Sequence, residues 1–255
     1  MSGKLWIVGA GPGAPDLLTL RAARTIEQAE VLIWTDSLVN PQLAAMAPEG
    51  CERIRTSTLT LEEVMALMLE RTTAGKRVVR LHDGDTCLYS ALHEQLSRLQ
   101  AAGVEVEVVP GLSAYQATAA ALQAELTIPG LVQTIVLSRA GGRTGVPERE
   151  SLQHLAALQA SLCLYLSARH VEEVQTELLQ HYPADTPVAI GYRVSWPDQW
   201  LAVVPLREMA RATRERQLIR TTLYLVSPAL GPPGEARSRL YSSSHDHLFR
   251  DARER

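Results

Sequence analysis

Two hydrophobic rhythms alternate along this chain. Short apolar runs, "LWIVGA" at 5–10, "EVLIWT" at 30–35 and "RVVRL" at 77–81, read as strands. Between and after them the spacing becomes helical, in "TLRAARTIEQA" (19–29), "LTLEEVMALMLERTTAG" (59–75) and "ALHEQLSRLQAAG" (91–103). In the second of these Leu61, Val64, Met65 and Met68 share one face and Gly75 marks a stop; in the third Leu92, Leu96 and Leu99 do the same. "VEVEVVPG" (104–111) alternates valine with glutamate, which buries one face and wets the other. Strands that alternate with helices predict a mainly parallel sheet flanked by helices.

After Pro110-Gly111 a second set begins. Helical patterns occupy 113–124, 150–160, 171–182 and 206–217; strand patterns occupy 133–139, 162–167, 186–194, 199–205 and 221–228. The neighbouring strands near its end call for mixed or antiparallel pairing. The expectation is therefore two α/β domains, 1–112 with a mainly parallel sheet and 113–231 with a mixed sheet, followed by a polar tail, 232–255.

Composition narrows the class. The chain has 255 residues, 46% of them hydrophobic and 21% charged, with a formal net charge of −3. That charge gives no general attraction to nucleic acid, so an anionic ligand has to be held by local arginines. Cys51, Cys87 and Cys163 lack metal-ligand spacing and suit a reducing compartment. No apolar run approaches a membrane span, and the N-terminus lacks the pattern of a secretory signal. A cytoplasmic protein is expected, with no membrane or nucleic-acid partner.

Gly9, Gly11 and Ala14 satisfy the dinucleotide fingerprint G-x-G-x-x-[GA], and Asp36 ends the next apolar run. Pro12 and Pro15 argue against that use. A dinucleotide loop passes straight into a helix whose amides meet the pyrophosphate, whereas proline supplies no N–H. The helical pattern starts later, near Asp16 to Thr19.

Other residues carry candidate chemistry beside ordinary structural roles. Asp85 lies in the glycine-flanked turn after "RVVRL", where open α/β sheets place ligand-binding residues; an Asx turn is the structural alternative. His82 reads as structural. Asp36-Ser37 reads as a turn cap or as part of a substrate cleft. Arg139 and Arg143 flank two glycines and suit paired carboxylates, with surface solvation as the alternative. Tyr192, Arg193 and Trp196 offer an aromatic wall with a nearby cation, or core packing. His245 and His247 lack a third ligand, so no metal site is expected.

"VGAGPGAPDLLTLRAARTIEQAEVLIW", "RVVRLHDGDTCLYSALHEQL" and "VEVEVVPGLSAYQATAAAL" resemble three successive motifs of the tetrapyrrole (corrin and porphyrin) methylases. Within that family "DSLVNPQL", "LTIPGLVQTIVLSRAGGRTGVPE" and "YRVSWPDQ" are similar to the precorrin-4 and cobalt-precorrin-4 methyltransferases acting at C-11. The resemblance covers nearly the whole chain. It implies a homodimer and S-adenosylmethionine, leaving as S-adenosylhomocysteine, in a cleft between the two domains. The implied cofactor contacts are Pro12, Asp83, Gly84, Asp85, Leu88, Ser113, Ala114, Leu166 and Val194. For an anionic tetrapyrrole the candidates, read from the residues themselves, are Asp36, Ser37, Arg139, Arg143, Tyr192 and Arg193, and Asp85 is the candidate catalytic residue, orienting cofactor or substrate. The chain departs from the family pattern at Gly84-Asp85-Thr86, at "GLSA" and at "RAGGRTG", where Gly-Asp-Pro, Gly-Val-Thr-Ser and Arg-Ala-Glu-Gly-Arg-Thr-Pro are more usual. Methylation at another ring position or of uroporphyrinogen, and tetrapyrrole binding without turnover, stay open at this point.

Overall fold

Residues 3–141 and 145–232, with Ser238 and Leu248, are described in a computed structural model of the chain. Two compact units divide it. The first comprises the chain to Ala117 together with Arg193–Gln199; the second comprises Thr118–Tyr192 and the chain from Trp200. The break expected near residue 112 thus falls after Ala117, and a segment from much later in the sequence packs with the first unit.

The first unit carries a five-stranded, wholly parallel sheet: β1 (Leu5–Gly9), β2 (Val31–Trp34), β3 (Glu52–Arg55), β4 (Val78–His82) and β5 (Val106–Val109), in the order β3-β2-β4-β1-β5. The inner strands are covered on both faces, which explains their unbroken apolar runs. Helices α1 (Leu20–Ile26) and α2 (Pro41–Ala45) pack with Val8, Leu32 and Leu81. Helices α3 (Leu61–Thr73) and α4 (Leu92–Ala101) pack with Leu5, Ile7, Ile33 and Val78 on the opposite side. Val64, Met65, Met68 and Leu99 are buried, with Leu61, Leu92 and Leu96 partly buried against them.

Local chemistry sets the helix ends. Thr19 caps α1 by accepting the Ala22 amide at 3.1 Å, so the helix starts where the proline-bearing loop permits. Thr60 and Glu63 form a reciprocal capping box on α3, and Gly75 closes it at φ +80°. Helix α2 and strand β3 have no counterpart among the elements that the hydrophobic pattern predicts. Helix α2 is five residues long, and β3, "ERIR", is a charged edge strand with a single apolar side chain.

The second unit carries a mixed sheet of β6 (Ile135–Arg139), β7 (Ser161–Tyr165), β8 (Pro187–Tyr192), β9 (Trp200–Pro205) and β10 (Thr222–Val226), in the order β6-β7-β10-β8-β9. Strands β6 and β7 are parallel; the other pairs are antiparallel. Alternate residues Leu162, Leu164, Val188, Ile190, Tyr224 and Val226 join a core with helices α6 (Leu152–Ala156), α7 (Val171–Leu178) and α8 (Met209–Glu215). Helix α5 (Ala114–Ala121) runs across the division between the units in sequence. No helix of the described residues is long and apolar enough to cross a membrane. Arg143 and the histidines His245 and His247 lie outside the described residues.

Candidate active site

Adjacent strands β1 and β4 send their following connections in opposite directions, to β2 on one side and to β5 on the other. That reversal is the switch point of an open α/β sheet, where a crevice opens beyond the carboxyl ends of the strands. Three loops meet there backbone to backbone. Gly11 and Gly84 exchange N–H···O bonds of 3.1 and 2.9 Å. A Cβ at Gly111 would lie 2.2 Å from the Gly84 carbonyl oxygen, and one at Gly9 would lie 2.5 Å from the Gly111 nitrogen. Glycine is required at 9 and 111 by contact. The fold thereby brings Pro12, Asp83, Gly84, Asp85, Leu88, Ser113 and Ala114 onto converging loops of one unit.

Asp85 joins two of these loops. One carboxylate oxygen accepts the Cys87 amide at 2.9 Å and the Cys87 thiol; the other accepts the Gly111 amide at 3.0 Å. Burial pushes its carboxyl up, but those donors outweigh it and hold it below the usual aspartate range. Both oxygens are thus occupied by the chain itself, which makes Asp85 an Asx turn and a loop tether at once. Ser113 is buried and opens α5, its carbonyl accepting the Gln116 amide at 3.1 Å. Leu88 is half-buried and Asp83 exposed.

The loop that resembled a dinucleotide fingerprint is no amide cradle. The Gly11 amide is given to Gly84, Pro12 has none, and the Ala14 amide goes to Ser195 Oγ at 3.0 Å. The indole of Trp196 donates to the Pro12 carbonyl at 2.9 Å, and Asn40 donates to the Gly13 carbonyl at 2.9 Å. Val194 is buried in the same segment. Arg193 is held by Asp198 at 2.8 Å and stacks on Trp196 at 3.8 Å, so its cation is engaged within the chain.

At the ends of β2 and β3, Asp36 accepts the Ser57 amide at 3.1 Å, beside exposed Ser37. Burial opposes ionisation of Asp36, and the bonds from Ser57 outweigh it, so its pKa is lowered. Thr35, next to Asp36, meets Arg80 of β4, a residue that the sequence pattern does not mark out. Arg80 is buried, donates to Thr56 and Thr35 hydroxyls at 3.1 Å each, and its buried Nε has no hydrogen-bond partner among the described residues. Burial pulls its pKa down to about 10, against the opposing charge of Asp83. His82, two residues on, is lowered to about 4 by burial and then by the Arg80 charge, and pairs with Gln95 at 3.3 Å.

In the second unit Arg139 ends β6 opposite Tyr165 of β7 and donates to the carbonyls of Ala140, Gly141 and Gly145. Leu166 follows β7, 69% exposed and at φ +55°. Tyr192 pairs with Trp200 and packs partly buried against the second core. Backbone strain also singles out the expected loops. Of the nine non-glycine residues with positive φ among the described residues, Gln123, Gln159 and Gln217 follow helices, where that conformation is a common terminus, and Thr221 immediately precedes β10. Tyr89, Ala91, Leu166, Arg193 and Ser195 lie instead on or beside the expected site segments, each at a cost of about 1–2 kcal/mol.

Asn40, Arg80 and Ser195 were absent from the sequence reading. Asn40 before Pro41 was legible as a helix cap, and Trp196-Pro197 as an unusually apolar hairpin connection. Their partners, 27 and 184 residues distant for Asn40 and Trp196, were not.

A sequence profile described as tetrapyrrole (corrin/porphyrin) methylases matches residues 4–210. The chain is 41% identical to the cobalt-precorrin-4 C(11)-methyltransferase of Priestia megaterium over 97% of each chain. It is similar to a solved structure of a cobalt precorrin-4 methyltransferase, with a TM-score of 0.87 and 41% identity, covering 90% of this chain and 96% of that one. It is also similar to the uroporphyrin-III C-methyltransferase of Thermus thermophilus complexed with S-adenosylhomocysteine, with a TM-score of 0.74 and 28% identity, covering 89% and 93%.

Proposed function

The chain belongs to the tetrapyrrole (corrin/porphyrin) methylases, and from that premise we propose that it transfers a methyl group from S-adenosylmethionine to C-11 of precorrin-4 or cobalt-precorrin-4 in cobalamin biosynthesis. The observation that carries this reading is the end-to-end likeness to a C-11 enzyme, 41% identical over 97% of both chains, against 28% for the uroporphyrin-III enzyme.

The residues present fit the methyl donor. The switch-point loops present a half-buried leucine, short polar side chains and little backbone to spare for phosphates, which suits a ligand without any. Pro12, Asp83, Gly84, Asp85, Leu88, Ser113, Ala114, Leu166 and Val194 are assigned to hold it. The donor supplies a positively charged sulfonium methyl; the protein's part is alignment and exclusion of water. An electron-rich ring carbon needs no side-chain nucleophile. Asp85 orients through Gly111 and Cys87, because both of its oxygens are already engaged. Asp36, Ser37, Arg139, Arg143 and Tyr192 are assigned to the carboxylate-bearing macrocycle, whereas Arg193 is engaged by Asp198 and Trp196. We take the working form to be a cytoplasmic homodimer; three free cysteines, two of them buried, accord with a reducing compartment.

The test is calorimetric titration with S-adenosylhomocysteine and, separately, NAD, followed by methyl-transfer assays on precorrin-4, cobalt-precorrin-4 and uroporphyrinogen. Saturable binding of S-adenosylhomocysteine alone and methylation of a precorrin-4 form are expected. Methylation of uroporphyrinogen only would refute the C-11 assignment, and NAD binding without a response to S-adenosylhomocysteine would refute methyl transfer altogether.

A further inference from the structure

The segment Arg193–Gln199 does more than return the chain from β8 to β9. A Cβ at Gly13 would lie 2.2 Å from both Cδ1 and Nε1 of Trp196, so the indole rests directly on the glycine backbone. The indole N–H holds the Pro12 carbonyl, Ser195 Oγ holds the Ala14 amide and Asn40 holds the Gly13 carbonyl. Arg193 stacks on the indole at 3.8 Å and is itself fixed by Asp198 at 2.8 Å, while the Ser195 amide donates to Gln199 Oε1 at 2.8 Å. Gly11 and Gly13 both have positive φ, +72° and +155°, so this stretch has wide conformational freedom unless something restrains it.

With these backbone groups committed to protein partners, the loop has mainly its shape to offer a ligand. A shape works in an in-line displacement only if it is held still, since misplacement by about 1 Å costs roughly 10²-fold in rate. We propose that Trp196, backed by Arg193, is a positioning residue that clasps the loop Pro12–Ala14, so that the Pro12 ring meets the methyl donor in one geometry. This rests on the methyl-transfer reading above. It gives the aromatic side chain a role through the cofactor loop, not as a wall for the macrocycle.

The test compares W196F, W196A and R193Q with the wild-type chain. W196F keeps an aromatic ring over Gly13 but leaves the Pro12 carbonyl without its donor. The readouts are melting temperature, amide exchange at Ala14, affinity for S-adenosylhomocysteine, and kcat separately from the KM for the tetrapyrrole. W196F should fold, exchange the Ala14 amide about tenfold faster, and bind S-adenosylhomocysteine about three- to tenfold more weakly, the size of one hydrogen bond lost. Its kcat should fall while the tetrapyrrole KM stays within about twofold, and R193Q should lie between it and wild type. W196A should show the larger loss; if it does not fold, W196F and R193Q decide the matter. Unchanged ligand affinity and kcat in W196F, beside an active wild type, would overturn the clasp, as would a loss of melting temperature alone. A wild-type chain that neither binds S-adenosylhomocysteine nor transfers a methyl would instead count against the methyl-transfer reading, and Ala14 exchange would still report whether the clasp exists.

Discussion

At the scale of single residues, the charged groups near the carboxyl ends of the first sheet are governed by what they touch. Arg80 is a buried cation whose side-chain hydrogen bonds among the described residues go to two hydroxyls and to no carboxylate, a costly arrangement by desolvation alone. Its charge helps to keep neighbouring His82 neutral. His82 has a pKa of about 4 in the folded chain against an ordinary 6.5, so the unfolded chain binds the additional proton between those values. Its contribution to stability is present above pH 6.5 and is lost as pH falls towards 4, on the order of 3 kcal/mol in all. Urea unfolding at pH 7 and pH 5 should therefore show a smaller acid loss for H82Q than for the wild-type chain. An equal loss would mean that His82 is already charged when folded. Neither group's environment was legible in sequence. "RVVRLH" reads as a strand, but burial of its polar members depends on Thr35, Thr56 and Gln95, each brought from another element.

At the scale of elements, the loops after β1, β4 and β5 form one construction, and glycine contact is its condition. G111A places a Cβ 2.2 Å from the Gly84 carbonyl oxygen, which is backbone and has no rotamer to yield. It should destabilise the chain by about 3 kcal/mol or more and weaken S-adenosylhomocysteine binding together with it. G103A is the control. Gly103 has a positive φ, which Gly111 does not, and open space around it, so only the backbone cost of about 1 kcal/mol should appear, with affinity unchanged. Equal effects of the two substitutions in urea unfolding would dismiss the contact argument. Helix α3 was fully legible because its apolar face, capping box and terminal glycine agree. Strand β3 was not, since "ERIR" has the alternation of an edge strand but one apolar side chain to show for it.

At the scale of the whole molecule, two cores of different build serve one chain. The first has a parallel sheet enclosed by helices on both faces; the second has a mixed sheet with α6, α7 and α8 in its principal core. A ligand that binds the native chain alone raises its unfolding free energy by mass action. S-adenosylhomocysteine at about 100 times its dissociation constant should add about 2.7 kcal/mol, and NAD at equal concentration nothing, in urea titrations. The same comparison made with W196F at equal ligand concentration should show a smaller gain, in proportion to its weaker affinity.

The sequence by itself determined the succession of strands and helices, the change from parallel to mixed pairing and the family. Each is written in local spacing or in contiguous motifs: period two for strands, period 3.6 for helices, and runs of glycine, proline and aspartate at turns. Only the tertiary structure decided how those motifs are engaged. It turned Asp85 into a tether between loops, set Arg193 against Asp198 and Trp196, and put Trp196 on Gly13. The reason is physical: a backbone amide or a carboxylate bonds to whatever the fold brings within about 3 Å, and Gly111 lies 26 residues from Asp85 and Pro12 184 residues from Trp196.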